Sequence, residues 1–336
     1  MTLYTRYSQI DIDAWDRLIK ESPVTSWFQS RDAYCFFDSL SFMETFVVGV
    51  AEDNNLLGVM VGYVQCDGKR LKQRLSRRAI IVGGPLLSKD ITDAHLSAML
   101  VTVRQLPAVE HCIYIETRNL NDYSQWRGVF EASGFSHVPH CNFHQDTSSL
   151  DAINSKLSRT RKRHIHVGLR DGAIIGEVTT DSEENEFYSI LSNLYRYKVK
   201  KPLPPQEFFH KLRNHSSAKL LAIKYQEHVI GGMAYVELFG KVGYEWYVCG
   251  MDESYKNLYP SELATYAGLQ YAANSGCPRF DYMGAGKPDE PYGVRDFKAL
   301  FGGKLVEHGR YLYVKKPLLY TLGKTAIKIL EKRHIV

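Results

Sequence analysis

The chain has 336 residues, of which 44% are hydrophobic and 24% charged, and its formal net charge is +5. This composition is ordinary for a globular protein and excludes intrinsic disorder and fibrous repeats. The length predicts about two domains. No apolar run approaches the roughly 20 residues of a membrane-spanning helix, and the N-terminal segment carries acids where a signal peptide needs an apolar stretch. The sequence therefore predicts a cytoplasmic protein.

Hydrophobic periodicity divides the first half of the chain into alternating helices and strands. Apolar, β-branched runs on either side of a polar AEDNN turn predict a hairpin, and a Gly-Gly-Pro turn follows the next strand. The predicted helices are 11–20, 30–40, 92–106 and 123–133, and the predicted strands are 43–51, 56–65, 79–82, 111–116 and 135–147.

The second half repeats this order of elements, with negligible sequence identity to the first. Its predicted helices are 158–170, 183–197, 206–213, 261–274 and 295–301, and its predicted strands are 173–180, 220–224, 229–238, 242–249, 279–282 and 309–314. We therefore predict an α/β (α+β) fold with two similar domains in tandem, each a mixed sheet flanked by helices. The predicted domains are 1–147 and 148–314, followed by a C-terminal helix at 315–336.

Cysteine and histidine spacing predicts neither a disulfide framework nor a metal site. The six cysteines are scattered without a CxxC pair, whereas disulfide frameworks are typical of smaller secreted chains. We therefore expect reduced, mostly buried thiols. On the predicted strand 135–147, His140 and His144 share one face, while His137 and Cys141 share the other. Four ligands cannot converge from both faces of one strand, so no metal site is predicted.

Positive charge is concentrated in three acid-poor blocks, at 69–78, 156–170 and 315–333. Each block could be no more than a solvated face. Three such blocks in a nearly balanced chain nevertheless favour an anionic ligand for at least one of them, and phosphates, a nucleic acid or an acidic membrane surface would all fit.

The last of these blocks predicts a basic amphipathic helix. Its apolar residues recur at spacings of three and four, whereas Lys324, Lys328 and Lys332 fall on another face. Two interpretations stay open. The helix either docks on the protein's own core, or makes peripheral contact with the anionic inner membrane through 315–336.

The segment 279–303 carries the richest set of candidate site residues. A strand ends there in a glycine-bearing loop, where the backbone can approach a ligand closely, and a short helix follows with cations three residues apart. A lysine beside such a strand end can neutralise a phosphate or a developing oxyanion. The candidates are Asp281, Tyr282, Gly284, Gly286, Arg295 and Lys298. Phosphate-binding loops of the GxxxxGK[ST] and GxGxxG types, HEXXH and GxSxG are all absent from the chain.

An ordered set of short motifs between residues 25 and 314 carries a family resemblance. The motifs are FQS at 28–30, Gly83-Gly84-Pro85-Leu86, LSRTRKRHI at 157–165, the run from Pro260-Ser-Glu-Leu263 to Gly276-Cys-Pro-Arg-Phe-Asp281, and the pair FDYMGAG and DFKALFGG within 280–303. In this order they resemble the Fem-type (FemABX-like) peptidyl or aminoacyl transferases. They are also similar to the GNAT-like acyltransferases of polysaccharide clusters.

The resemblance implies two tandem GNAT-like domains and an enzyme that transfers an acyl group to an amino group. The co-substrate would be an aminoacyl-tRNA or an acyl-CoA, with no bound cofactor. The acceptor would be an anionic or lipid-linked cell-envelope precursor, such as a peptidoglycan stem peptide. The implied catalytic candidates are Lys298 for oxyanion or donor-phosphate contact, and Asp281 and Tyr247 for proton handling or positioning. The implied acceptor or tRNA contacts are Arg161, Arg163, Arg196 and Lys198.

Two alternatives to this activity stay open. The first is an acyl-CoA-dependent N-acyltransferase of an amino sugar in polysaccharide biosynthesis. The second is a non-catalytic module that binds tRNA or another polyanion through the basic blocks. The segment after strand 242–249 lacks the glycine-rich loop of acyl-CoA-binding GNAT proteins, and this favours a tRNA donor or an unusual mode of CoA binding.

Overall fold

A computed structural model describes residues 1–66, 73 and 76–333, with side chains up to residue 325. Most of the predicted basic block 69–78 therefore lies outside the described residues. The chain divides into two compact units. One contains Met1–Pro139 together with the segment from His308 onward, and the other is His140–Glu307. Within the described residues, no helix is both long and apolar enough to cross a bilayer.

The first unit contains a mixed sheet whose strands alternate with helices. Its strands are β1 (Thr2–Tyr4), β2 (Glu44–Glu52), β3 (Asn55–Gln65), β4 (Arg78–Val82), β5 (Leu86–Leu87), β6 (Tyr114–Arg118) and β7 (Ser136–Val138). Its helices up to this point are α1 (Ile12–Glu21), α2 (Arg31–Asp38), α3 (Asp93–Gln105), α4 (Pro107–Glu110) and α5 (Arg127–Ala132), with short 3₁₀ turns at Tyr7–Gln9, Trp27–Gln29 and Ser124–Trp126.

The second unit contains another mixed sheet. Its strands are β8 (Cys141–Asp146), β9 (Ile174–Glu177), β10 (Ala218–Tyr225), β11 (His228–Leu238), β12 (Val242–Gly250), β13 (Arg279–Asp281) and β14 (Lys304–Glu307). Its helices are α6 (Leu150–Lys156), α7 (Arg159–Arg170), α8 (Asp181–Leu194), a π-helical turn (Tyr195–Val199), α9 (Gln206–Arg213), α10 (Pro260–Asn274) and α11 (Gly293–Ala299). The chain then returns to the first unit as β15 (Arg310–Val314) and α12 (Pro317–Arg333).

Local sequence explains several of these boundaries. Asp11, Thr92 and Thr180 accept hydrogen bonds from backbone N–H groups in the first turns of α1, α3 and α8, so each acts as a helix N-cap. Asp53 and Asn54 both have positive φ, and they form the two-residue turn between β2 and β3. Asp and Asn tolerate this conformation, which matches the right-handed twist of a hairpin. The predicted hairpin is confirmed.

The two units repeat one arrangement of elements. In the first sheet the order is β1-β2-β3-β4-β6-β15-β7, with β5 beside β3, and in the second it is β14-β8-β13-β12-β11-β10-β9. Each sheet has antiparallel neighbours except for one parallel pair, β4 with β6 and β12 with β13. The chain crosses between the members of each parallel pair through a helix, α3 or α10, which packs on the sheet. The predicted α/β fold with two mixed sheets is confirmed.

The observed division corrects the boundary predicted at 147/148. The predicted strand 135–147 is two strands in different sheets, β7 in the first and β8 in the second. Pro139 lies between them, and proline cannot donate a ladder hydrogen bond. The last strand, predicted to close the second domain, instead pairs with β6 and β7. Its Tyr311 is buried and stacks on Phe130 at 3.9 Å, so β15 completes the core of the first unit.

Two of the motifs in the first unit meet in its interior. Gln29 of the FQS motif is fully buried, and its Nε2 lies 3.1 Å from the carbonyl oxygen of Gly83 and 3.0 Å from that of Gly84. Both glycines have positive φ. A Cβ at Gly83 would lie 2.3 Å from the Ser26 hydroxyl oxygen, so this turn requires glycine. These motifs therefore build the structure of the first unit.

An ion-pair network joins the returning strand β15 to β6. Glu116 lies between two guanidinium groups, 2.8 Å from Arg118 Nε and 3.0 Å from an Arg310 nitrogen. Burial alone would raise the pKa of Glu116, but the two arginines outweigh burial and lower this pKa to about 2. The depressed pKa means that ionised Glu116 stabilises the first unit.

We expect the variant Glu116→Gln to lose about 3 kcal/mol of unfolding free energy at neutral pH. The carboxylate contributes fully above its unfolded pKa near 4.3, and this contribution is lost as the pH falls toward 2, so the variant should show a flatter acid dependence in that window. Urea unfolding at a series of pH values, followed by tryptophan fluorescence, measures both effects. Glu44→Gln is the matched control, since Glu44 is half exposed in its pair with Arg77. Parallel pH profiles for Glu116→Gln and the unmodified protein would contradict the assignment.

Candidate active site

A buried ion pair lies beside the parallel strands of the second unit. Glu245 on β12 is 3% exposed and Lys298 on α11 is 6% exposed. Lys298 Nζ lies 3.0 Å from Glu245 Oε1, and the other carboxylate oxygen accepts a hydrogen bond from the Thr265 hydroxyl at 3.1 Å. Burial raises the pKa of Glu245, while the ammonium of Lys298 and the hydroxyl of Thr265 act in the opposite direction. A charge buried this deeply is stable only with such partners.

The same lysine holds the glycine-bearing loop that follows β13. Lys298 Nζ donates hydrogen bonds to the carbonyl oxygens of Tyr282 at 2.5 Å and of Gly284 at 3.0 Å. Met283, Gly284 and Gly286 all have positive φ, so the backbone bends sharply away from the strand. Lys298 was predicted to contact the reacting group. Its observed contacts link the loop to Glu245, and its role in the reaction stays a prediction.

Arg295 fixes the far side of this loop. Its guanidinium donates to the carbonyl oxygens of Ala285, Pro288 and Glu290 at 3.0, 3.0 and 2.7 Å, and also to that of Lys287. A planar guanidinium with five N–H groups suits such a cluster of carbonyls. Arg295 was predicted to bind substrate, and the structure shows it folding the loop.

Asp281 anchors the start of the loop to the neighbouring strand β8. Its carboxylate is fully buried, accepts hydrogen bonds from Asn142 Nδ2 at 2.8 Å and from the backbone N–H of Met283 at 2.7 Å, and lies 3.0 Å from His144 Nε2. Burial alone would raise the pKa of Asp281, but His144 and the other donors outweigh burial and lower it. Asn142 Oδ1 in turn accepts from the N–H of Gly284 at 2.8 Å. Among the predicted roles of Asp281, these contacts support positioning.

Aromatic residues follow Glu245 along β12. The pairing of β11 with β12 shifts register between Ala234 and Tyr235, which leaves a bulge at Trp246 next to Glu245. Tyr247 follows the bulge and is half-buried, with its ring centroid 5.9 Å from that of Tyr195. Burial raises the pKa of Tyr195 to about 12, so its hydroxyl stays protonated at neutral pH. Bulges commonly occur next to active sites, because they re-aim side chains.

Arg161 connects three of the motifs that carry the family resemblance. It is 3% exposed, forms an ion pair with Glu262 at the start of α10, and donates to the carbonyl oxygen of Phe297 at 3.1 Å. Its guanidinium also lies 4.3 Å from the centroid of the Phe297 ring and 4.6 Å from that of Phe301. Arg161 was predicted to bind an anionic ligand, whereas its observed contacts hold α7, α10 and α11 together.

The other predicted cations of the second unit reach the surface. Arg163 is exposed on α7. Arg196 and Lys198 are exposed on the π-helical turn that follows α8, and Lys198 Nζ lies 3.2 Å from Glu253 in the loop after β12. Tyr197 between them is 67% exposed. This turn therefore presents cations and an aromatic ring to solvent, directly after Tyr195 has packed against Tyr247.

The N-terminus of α10 is already occupied by a carboxylate of the chain. Asp252 accepts a hydrogen bond from the backbone N–H of Ser261 at 3.0 Å and another from its hydroxyl at 2.6 Å. The next residue, Glu262, adds a second acid to the first turn. Phosphates bind at helix N-termini through free N–H groups and the helix dipole. Because Asp252 already accepts the N–H of Ser261, this terminus is unfavourable for binding a pyrophosphate.

One cluster in the described part of the chain has metal-ligand geometry. The candidate ligand atoms of Asp181, Glu184 and His210 all lie within 4.8 Å of one another. However, the guanidinium of Arg213 already forms ion pairs with Asp181 at 2.5 Å and with Glu184 at 3.1 Å. A resident side-chain cation thus neutralises the acids.

Two histidines of the segment 137–144, His137 and His144, lie in different sheets. His137 lies on β7 in the first sheet, where its ring contacts Tyr311. His144 lies on β8 in the second sheet, where it pairs with Asp281.

Sequence reasoning missed Glu245 and His144. Glu245 did leave a signal, since it is the one acid in the otherwise apolar and aromatic strand VGYEWYVCG, and an acid in a buried strand needs a partner. His144 was considered only as a metal ligand. Its partner Asp281 is 137 residues further along the chain, and no pattern in the sequence links the two.

Comparison with known families gives a match over part of the chain. Residues 207–328 match the FemAB family. That range includes Glu245, Asp281 and Lys298, but not Arg161. Comparison with curated protein sequences gives no match.

Solved structures with low sequence identity share the fold. The chain resembles the crystal structure of FemX with a TM-score of 0.70 and 14% identity, over 95% of this chain and 99% of that one. It resembles the C-terminal domain of a lysylphosphatidylglycerol synthetase from Agrobacterium fabrum with a TM-score of 0.59 and 10% identity, over 94% and 95% of the two chains. A tandem GNAT protein from the clavulanic acid biosynthesis pathway gives a TM-score of 0.57 and 11% identity, over 93% and 98%. The family match over residues 207–328 and the fold shared with FemX and the tandem GNAT protein confirm the predicted resemblance to the Fem-type acyltransferases.

Proposed function

We propose that the chain transfers an aminoacyl group from an aminoacyl-tRNA to an amino group of a cell-envelope precursor, such as a peptidoglycan stem peptide. The FemAB match over the segment that contains Glu245 and Lys298 supports this reaction class. The similar structures include FemX and a protein whose name describes an aminoacylated membrane lipid. The proposed reaction takes place in the cytoplasm, where aminoacyl-tRNA is available.

The observation that carries the choice of donor is the acid-capped N-terminus of α10. An acyl-CoA donor would have to place its pyrophosphate against Asp252 and Glu262, which lie at the helix end after β12. Glu262 is paired with Arg161, but the carboxylate of Asp252 already takes the N–H of Ser261 and repels such an anion. An aminoacyl-tRNA does not depend on this terminus, because its phosphates can bind exposed lysines and arginines instead.

In the proposed mechanism the amine of the acceptor attacks the ester carbonyl of the donor. A C–N bond forms, and the tetrahedral oxyanion collapses as the ester C–O bond breaks. The proton lost by the amine ends on the ribose oxygen, so the tRNA leaves with a free hydroxyl. The chain contributes mainly by positioning, since Lys298 and Arg295 hold the loop 282–290 from two sides and Asp281 fixes its beginning. Tyr247 beside the bulge is proposed to contact the substrate, and the backbone at Gly284 and Gly286 is proposed to approach it.

The experiment that tests this proposal compares the two donors directly. The purified chain is incubated with mixed radiolabelled aminoacyl-tRNAs and with nucleotide-linked or lipid-linked peptidoglycan precursors. Titration calorimetry with acetyl-CoA runs in parallel. Label in the precursor together with no heat from acetyl-CoA supports the proposal. Micromolar binding of acetyl-CoA and acetylation of an amino sugar would favour the alternative of a polysaccharide-related N-acetyltransferase instead.

The exposed turn after α8 is proposed to bind the acceptor end of the tRNA. Cations there can contact phosphates, and Tyr197 can stack on an unpaired base. We expect the double variant Arg196→Ala/Lys198→Ala to raise the KM for aminoacyl-tRNA about tenfold, with little change in kcat. The slope of log affinity against log salt concentration should become shallower by about one to two units, because up to two phosphate contacts are lost.

Lys219→Ala serves as the matched control for this turn. Lys219 is also a half-exposed cation of the second unit in an ion pair, with Glu177 at 3.2 Å, but it lies on β10. Its replacement should leave both the KM and the salt slope unchanged. If the double variant and the control behave alike, the turn does not bind tRNA.

A further inference from the structure

The start of the C-terminal helix α12 is attached to the first unit by specific contacts. Lys315 Nζ donates to the carbonyl oxygens of Arg104 at 2.8 Å and of Val109 at 3.1 Å, near the ends of α3 and α4. Lys316 Nζ donates to the carbonyl oxygen of His111 at 3.2 Å. A lysine near a helix C-terminus satisfies carbonyl groups that have no partner within the helix. Two cations of the third basic block therefore have a structural role.

An aromatic contact fixes the orientation of the first helical turn. The ring of Tyr320 meets the ring of Tyr114 on β6 edge to face, with centroids 5.5 Å apart. Tyr320 therefore faces the unit. Residues on the opposite side of the turn point away from it.

Two leucines occupy that opposite side. Leu318 is 82% exposed, the highest value for a large apolar side chain among the described residues, and Leu322 is 66% exposed. The two lie four residues apart, so they form one stripe along the helix. Water contact with such a stripe is unfavourable, and burying it against an apolar phase would be favourable. The structure thus accommodates both interpretations that the sequence left open, because the helix docks by one side and exposes apolar residues on the other.

The charge of the helix favours one occupant for this stripe. Beyond the docking lysines, α12 contains Lys324, Lys328, Lys332 and Arg333 against the single acid Glu331. The side chain of Lys324 lies near the docked face, since its Nζ is 5.0 Å from the centroid of the Tyr320 ring. If two copies of this chain met through the stripe, their basic helices would come close together and their positive charges would repel each other. An anionic lipid surface instead offers an apolar phase and negative headgroups at the same depth.

We propose that α12 binds an anionic membrane surface, with Leu318 and Leu322 inserted between lipids and the lysines against the headgroups. This inference goes beyond the proposed function, since it requires neither the donor nor the acceptor. It describes a peripheral attachment, consistent with a helix whose sequence alternates apolar and basic positions.

The test is co-sedimentation of the full chain with lipid vesicles. Vesicles of phosphatidylcholine alone are compared with vesicles that also contain phosphatidylglycerol, at low salt and at salt high enough to screen charges. We expect binding to the phosphatidylglycerol vesicles only, weakened by salt. Equal binding to both kinds of vesicle, or binding to neither, would overturn the proposal.

Two double variants separate the contribution of the leucines to vesicle binding from that of the lysines. Leu318→Ser/Leu322→Ser should weaken vesicle binding at least about tenfold, and Lys324→Glu/Lys328→Glu should abolish the preference for anionic lipid. Phe239→Ser is the matched control, because Phe239 is 81% exposed but lies at the β11–β12 turn of the second unit. It should bind vesicles as the unmodified chain does.

Two further measurements keep these variants interpretable. Thermal unfolding should be unchanged by the leucine replacements, since both side chains are exposed. Analytical ultracentrifugation without lipid tests whether a second copy of the chain covers the leucine stripe. Self-association that disappears in Leu318→Ser/Leu322→Ser, without vesicle binding by the unmodified chain, would show that a second copy covers the stripe and would refute the membrane proposal.

Discussion

Replacing Lys298 by Met is expected to destabilise the second unit by about 3–5 kcal/mol and to lower the transfer rate about 100-fold or more. The loss of stability follows because Glu245 would stay buried without its counter-charge. The loss of rate follows because the carbonyl groups of Tyr282 and Gly284 would lose the ammonium that holds the loop. Chemical unfolding and single-turnover transfer measure the two effects separately.

A second variant distinguishes positioning from simple destabilisation. In Lys298→Met/Glu245→Leu the whole ion pair is replaced by apolar groups, which commonly restores most of the stability lost when one buried partner is removed. We expect stability to return and transfer to stay low, because the loop still lacks its anchor. Recovery of both together would mean that Lys298 acts only through folding.

The chain offers a matched control in Lys287. Its ammonium also contacts the loop, through an ion pair with Glu290, but the side chain is 54% exposed. Exposed pairs contribute little, so Lys287→Met should change the unfolding free energy by less than about 1 kcal/mol. A large effect of Lys287→Met would show that the loop is sensitive to any change of charge.

Arg161→Ala is expected to cost about 3–5 kcal/mol of stability. The change removes the partner of Glu262, the hydrogen bond to Phe297, and the cation that lies over two phenylalanine rings. Urea unfolding followed by the fluorescence of Trp246, the one tryptophan of the second unit, reports the loss.

Arg163→Ala is the control on the same helix. Arg163 is exposed two residues further along α7, so its removal should change stability by no more than about 0.5 kcal/mol. If α7 contacts the tRNA or an anionic acceptor, Arg163→Ala should instead raise the KM for that substrate. Equal destabilisation by the two variants would contradict the buried role of Arg161.

The sequence predicted the element order well, because periodicity and caps are local. The hairpin of β2 and β3 and the helix–strand succession of both units were readable from apolar spacing and turn residues. The strand pairing was not readable. Nothing in the sequence of 309–314 says that Tyr311 stacks on Phe130 rather than on an aromatic ring of the second unit. The predicted boundary at 148 differed from the observed division for this reason.

At the candidate site, residue type was easier to predict than role. Arg161 and Arg163 look equivalent in a basic block, yet only Arg161 shares the helical face of the buried Ile165 and Gly168, at spacings of four and three. That periodicity was available and would have indicated an inward-facing arginine. The pairing of Lys298 with Glu245 could not be predicted from the sequence, since the partners are 53 positions apart and lie on different elements.

The return of β15 to the first sheet reverses the order in which the units can be completed. During vectorial synthesis a ribosome makes most of the first unit, then all of the second, and only afterwards the strand that pairs with β6 and β7. The unit that begins at the N-terminus is therefore the last to obtain all of its strands. Until β15 emerges, β6 and β7 each lack this pairing partner, and exposed strand edges of this kind are where a nascent chain is most prone to aggregate or to recruit a chaperone.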